Sequence, residues 1–222
     1  RCLVILHKSK SRALREFETW ADSYDQSILN FVIFRPACKL MLAEVRKRAA
    51  KSKTTFHVLD IGCGTGTFLS KCIAMGLNME VTGLDMAPNM IYQARDKLGR
   101  SADNGSSAVF TVGDAEHLPF DCGYFDMVTC SNSFHHYPDQ FQAVREMYRV
   151  IKPGGELLIV DGHRDDPLGY LIFDVVVDAV EKHVRHCSRR EFVKMFKDAG
   201  FRKVTQRMDG LFPPLLATLG QA

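Results

Sequence analysis

Short apolar runs at residues 56–61, 79–85, 108–113, 124–131 and 156–161 alternate with stretches of helical periodicity, and this alternation constrains the fold more than any other feature. Each run is rich in Val, Leu, Ile or Phe and closes on Gly, Asp or Ser, as a strand does. The runs are apolar almost throughout rather than at every second position, so both faces of each strand must be covered. That is the mark of a parallel sheet between helices. Strand, helix and strand repeated in this way predict a doubly wound α/β sheet.

The helical stretches carry their own punctuation. Phe68, Leu69, Cys72 and Ile73 recur at helical spacing before a stop at Gly76, and Pro88 suits the first turn of a second helix. A third runs from an N-cap at Asp139 through Phe141, Val144, Tyr148 and Ile151 to a break at Pro153, Gly154 and Gly155. Upstream, Leu14, Phe17, Ala21 and Tyr24 share one helical face, and Pro36 opens a helix ending in Arg46, Lys47 and Arg48. Downstream, residues 168–184 and 189–199 read as helices, residues 201–208 as a strand and residues 215–219 as a last edge strand. The expected layout is one domain over residues 1–222. Helices and a lid occupy 1–54, the binding core 55–162, and acceptor-side helices with the final strands 163–222.

Hydrophobic residues make up 46% of the 222, enough for a sizeable core. A formal net charge of +3 lacks the bias of a dedicated nucleic-acid binder. The seven cysteines are scattered, with no C-x-x-C pair, and read as reduced thiols. No apolar run reaches the length of a membrane span, so a cytoplasmic protein, monomer or homodimer, is expected.

Residues 59–67, LDIGCGTGT, form the most informative segment, a strand entering three alternating glycines and then a helix. Glycine allows the tight turn and lets a ligand lie against bare backbone, and the helix start offers free N–H groups to an anion. Dinucleotides and S-adenosylmethionine (SAM) both bind at such a turn, so the motif alone leaves a nicotinamide-dependent oxidoreductase open. The dinucleotide fingerprint wants a small residue where Thr67 stands. Asp85, ending the second run, suits ribose hydroxyls under either reading.

Residues 59–66 resemble motif I of the class I SAM-dependent methyltransferases, and the later segments follow in register. GDAEHLPF at 113–120 resembles the family's motif after strand three, which a dinucleotide enzyme has no reason to carry. FDMV at 125–128, FHHY at 134–137 and RVIKPGG at 149–155 complete the pattern. Within the family, the likeness is to the small-molecule branch that includes quinone-biosynthesis methyltransferases. It implies a mostly parallel seven-stranded Rossmann-like sheet with an N-terminal helical lid. The ligand implied is SAM, leaving S-adenosylhomocysteine as product, with a small-molecule acceptor as partner and no metal.

Carried over by position, Gly62, Gly64 and Gly66 back the methionine part, and Asp60 braces the loop or the amino group. Asp85 takes the ribose, Met86 packs on the adenine, Asp114 and Ala115 read its edge, and Ser131 lies beneath the sulfonium. FETWADSYD at 17–25 resembles the lid, with Tyr24 over the SAM carboxylate. Ala87 departs from the usual serine, which weakens a helix cap.

Methyl transfer needs alignment in a water-poor pocket, and a base only where the acceptor carries a proton of high pKa. His135 is the candidate base, against a structural hydrogen-bonding role, and His136, His163 and Arg164 are acceptor contacts, against plain surface residues. Residues 168–184, apolar around most of the helix, suit a roof over the acceptor, ordinary core or a dimer face. The basic cluster needs only a helix dipole to explain it. The Asp165-Asp166 pair reads as a solvated turn, and Cys63 as small-residue packing. A SAM-binding protein without catalysis is the remaining alternative. A nucleic-acid methyltransferase is disfavoured because Ser131, Asn132, Ser133 and Phe134 replace its Asn/Asp-Pro-Pro-aromatic motif.

Overall fold

A computed structural model describes residues 34–99, 108–165, 184–209 and 214–222. The expectations for residues 14–25, including the lid and Tyr24, and nearly all of the 168–184 helix lie outside the described residues. In chain order the elements are α1 (Arg35–Ala49), β1 (Phe56–Ile61), α2 (Thr67–Ile73), β2 (Met79–Asp85), α3 (Pro88–Gly99) and β3 (Ala108–Val112). Then follow β4 (Phe125–Ser131), a 3-10 turn at Phe134–His136, α4 (Gln140–Val150), β5 (Ile151–Gly162), α5 (Arg189–Ala199), β6 (Lys203–Asp209) and β7 (Leu215–Gln221).

The strands form one sheet in the order β3-β2-β1-β4-β5-β7-β6. Strands β1 to β5 pair in parallel, whereas β7 runs antiparallel to both β5 and β6. The alternation along β1 shows why helices must cover both faces. Val58 enters a cluster with Leu40, Met41 and Val45 of α1, Leu69 of α2 and Ile91 of α3. Leu59 and Ile61 enter another with Val144 and Met147 of α4 and Phe192 and Phe196 of α5. The sheet is doubly wound, as its apolar runs require.

Residues 215–219 are not at an edge. Strand β7 lies between β5 and β6, and Leu215, Leu216 and Thr218 are fully buried. Strand β6 takes the edge because its Lys203, Thr205 and Arg207 are exposed and tolerate water along an open side. The stripe expected on α4 is also rotated. Phe141 is 39% exposed, and the inward face is Gln140, Ala143, Val144, Met147 and Val150. The Asp139 carboxylate caps the helix start by accepting from the Gln142 N–H at 2.9 Å, and the packing of Ala143, Val144 and Met147 into the core decides which face turns inward. Helix α4 stops at Val150, and Pro153 to Gly155 lie within the long β5 rather than before it, with a register shift against β4.

Candidate active site

The strand order reverses between β2 and β4 on either side of β1, and at such a switch point the loops beyond the strand ends part to leave a crevice. Gly62, Gly64 and Gly66 follow β1 with φ of 71°, 52° and 72°, in the left-handed region that glycine enters without strain. The Gly62 and Cys63 N–H groups donate to the Leu84 carbonyl of β2 at 2.8 and 3.1 Å, folding the turn down onto the neighbouring strand. A Cβ at Gly62 would collide with Ser133.

Asp85 ties this turn to the next. Its carboxylate accepts from the Gly64 N–H and the Ala87 N–H, both at 2.9 Å. The Ala87 amide thus has a side-chain acceptor two residues upstream, which fixes the chain where it enters α3. Burial raises the Asp85 carboxyl above its ordinary range, against the pull of these amides. Below the turn, Asp60 is buried and accepts from the Thr129 hydroxyl at 2.7 Å. Burial, with the nearby charge of Asp85, pushes the Asp60 carboxyl up to about 7, although the Thr129 bond opposes the rise.

Two clefts open on the turn. The first, about 740 Å³ with its mouth, is lined by Gly62, Gly64, Asp85, Met86, Asp114, Ala115, Ser131 and His136, together with Asn132, Ser133, Tyr137 and Glu116. The second, about 610 Å³, is lined by Asp60, Gly62, Gly64 and Ser131, with Arg35, Cys38 and Lys71. Gly62, Gly64 and Ser131 border both, so the clefts meet along the glycine turn. One end offers a carboxylate beside cations; the other offers an apolar slot with Asp85 and Asp114 at its rim. These residues fit an amino acid joined to a nucleoside, with the cations at the amino-acid end and the two carboxylates along the nucleoside end.

Other expected residues stand elsewhere. Gly66 lines neither cleft; a Cβ there would come 3.0 Å from the Ala94 Cβ and 3.3 Å from Leu98, so this glycine serves the packing of α2 on α3. His135 is also off both linings. It is buried, with Nδ1 2.7 Å from the Asp161 carboxylate and its N–H donating to the other oxygen at 3.1 Å. Its imidazole lies 4.3 Å from that of His136, which does face the cleft. His163 is buried beside Cys187, and Arg164 pairs with Glu191 at 3.2 Å. Cys63 is buried, and burial raises its thiol well above the ordinary range, as packing rather than nucleophilic chemistry requires.

Sequence reasoning assigned no role to Arg35, Lys71, Asn132, Tyr137 or Asp161. Arg35 and Lys71 belong to helices whose facing surfaces only packing reveals. Asn132 had one local signal, its place directly after a strand, where it adopts φ 50°.

The geometry agrees with the comparisons. The sequence profile of a methyltransferase domain matches residues 59–159. The chain is 32% identical over 192 residues to the demethylmenaquinone methyltransferase of Listeria welshimeri, covering 86% of this chain and 78% of that protein. It is 34% identical over 159 residues to the enzyme of the same description from Deinococcus radiodurans, covering 69% of this chain and 62% of the other. A SAM-dependent methyltransferase from Aquifex aeolicus shares the fold, with a TM-score of 0.63 at 20% identity over 92% of this chain and 97% of that one. No helix among the described residues is long and apolar enough to cross a membrane. The chain belongs to the class I SAM-dependent methyltransferases, in the branch of small-molecule enzymes that includes those of quinone biosynthesis.

Proposed function

We propose that this enzyme methylates a small quinone-type acceptor in its reduced, hydroxylated form, working in the cytoplasm. The acceptor class is supported by the demethylmenaquinone methyltransferases that match most of the chain. The cytoplasm is supported by Cys38, Cys63, Cys72, Cys122, Cys130 and Cys187, all free thiols. The observation that carries the cofactor pose is the shared border of the two clefts at Gly62, Gly64 and Ser131. One elongated ligand can run through both.

In this pose Asp60 and the backbone of Gly62 and Gly64 hold the amino-acid end, with Arg35 and Lys71 on the carboxylate side. Asp85 takes the ribose, Met86 covers the adenine, and Asp114 with the Ala115 N–H reads its edge. SAM supplies a methyl carbon bonded to a sulfonium, open to in-line attack. Ser131, where the clefts meet, marks the reacting end. Alignment is the protein's main contribution.

The unsubstituted ring carbon beside a hydroxyl becomes a better nucleophile when that hydroxyl loses a proton. The carbon would take the methyl as the sulfur–methyl bond breaks to leave S-adenosylhomocysteine, and loss of the carbon's own proton then restores the aromatic ring. His136, facing the cleft, takes the hydroxyl proton, with the His135 ring packed against its far side. The test is turnover of a short-chain reduced demethylmenaquinone with SAM, following S-adenosylhomocysteine and methylated product together. Equal amounts of the two support the reading. Tight binding of S-adenosylhomocysteine without quinone turnover would remove this acceptor and leave the cofactor pose intact.

A further inference from the structure

Behind the cleft, three chain segments that are distant in sequence converge on one buried point. His135 follows β4, Asp161 lies near the end of β5, and His186 precedes α5; all three side chains are buried. One donor atom from each lies within 4.8 Å of the others. The His135 and His186 rings stack with centroids 4.5 Å apart, and the carboxylate meets His135 Nδ1 at 2.7 Å.

The backbone around this point is fixed by specific bonds. Asp161 accepts from the N–H groups of His135 at 3.1 Å and Gly162 at 2.7 Å. The Arg185 N–H donates to the His135 carbonyl at 2.9 Å, which seats His186 on the dyad. The buried Gln140 amide donates to the Arg185 carbonyl at 2.8 Å and the Phe134 carbonyl at 3.2 Å, and its oxygen accepts from the Cys187 thiol at 3.1 Å. The segment carrying His186 is thus bonded to the segment carrying His135 at several points. Donors held by their own backbones before any ion arrives are what a metal centre needs.

We propose that His135, Asp161 and His186 form a binding site for one divalent transition-metal ion of the zinc class. Two imidazole nitrogens, which are borderline donors, with one carboxylate oxygen suit such ions, and suit calcium or magnesium poorly, since these favour all-oxygen sets. The ion clamps residues 185–188 to the ends of β4 and β5, one ring behind His136 and the cleft. It fills a structural place. His136, not the ion, faces the acceptor.

Chelator-stripped protein titrated with Co2+ tests this without reference to methyl transfer. The expected result is one equivalent bound per chain, with the intense visible absorption of a four- or five-coordinate ion, displaced by one equivalent of Zn2+. Zinc-edge X-ray absorption of the wild-type protein should show two imidazole ligands. Asp161→Asn and His186→Gln should each weaken Co2+ uptake at least tenfold, whereas His117→Gln, at an exposed histidine, should leave it unchanged. S-adenosylhomocysteine binding serves as the check that each variant is folded. Uptake well below one equivalent, the pale spectrum of an octahedral aquo ion, or equal uptake in both variants and wild type would each overturn the proposal.

Discussion

At the scale of single residues, Asp60 and Asp85 would meet the ligand of the proposed pose by different means. Asp60 titrates near 7 in the folded protein because it is buried, whereas an unfolded aspartate titrates near about 3.9. Between those values the folded state holds a proton that the unfolded chain does not. This group's contribution to stability is therefore greatest at low pH and declines as pH rises through the window. A ligand ammonium favours the ionised carboxylate, so below 7 binding must displace that proton. Calorimetric affinity for S-adenosylhomocysteine should fall by up to about tenfold from pH 8 to pH 6. Asp60→Asn should bind weakly with no such slope, and a flat wild-type profile would separate Asp60 from the amino group. Asp85→Ala should weaken the same ligand by more than about tenfold, roughly 1.4 kcal/mol, because it removes the ribose acceptor and unties the Gly64 and Ala87 amides. Unchanged affinity would take Asp85 out of the site.

At the scale of elements, helix ends explain how the site is held. Helix α5 starts with a reciprocal capping box between Ser188 and Glu191 and stops at Gly200, whose φ is 118°. These are local signals, and they fix the ends of the helix that the sequence indicates at residues 189–199. The glycine turn is held from farther along the chain, with Lys97 of α3 donating to the Thr65 and Thr67 hydroxyls at 2.9 and 2.7 Å. Gly66 is where turn and packing meet. Gly66→Ala places a side chain at φ 72° and against Ala94, and should cost about 1–3 kcal/mol in urea unfolding. A stability equal to wild type would show that the α2–α3 contact yields more easily than its spacing indicates. The pairing of His135 with His186 had no local signal, because nothing in either segment names the other.

At the scale of the whole molecule, the last strand matters most. Strand β7 hydrogen-bonds to β5 over residues 156–162 and to β6 over residues 203–209, and its side chains enter both core clusters. Ending the chain at residue 213 should abolish cooperative unfolding rather than trim an edge, as followed by circular dichroism on heating. A truncated chain with a sharp transition near the wild-type midpoint would show the sheet to be complete without β7. The sequence by itself determined the alternation of strands and helices, the glycine turn, the helix caps and the resemblance that points to SAM. Each of those is written in residues a few positions apart, where period, turn chemistry and capping act. Only the tertiary structure decided that β7 enters between β5 and β6, that α4 turns Phe141 outward, that His136 rather than His135 reaches the cleft, and that Asp161 and His186 gather around His135. Those outcomes depend on which surfaces meet after the chain has closed on itself, and no local pattern encodes a partner 26 or more residues away.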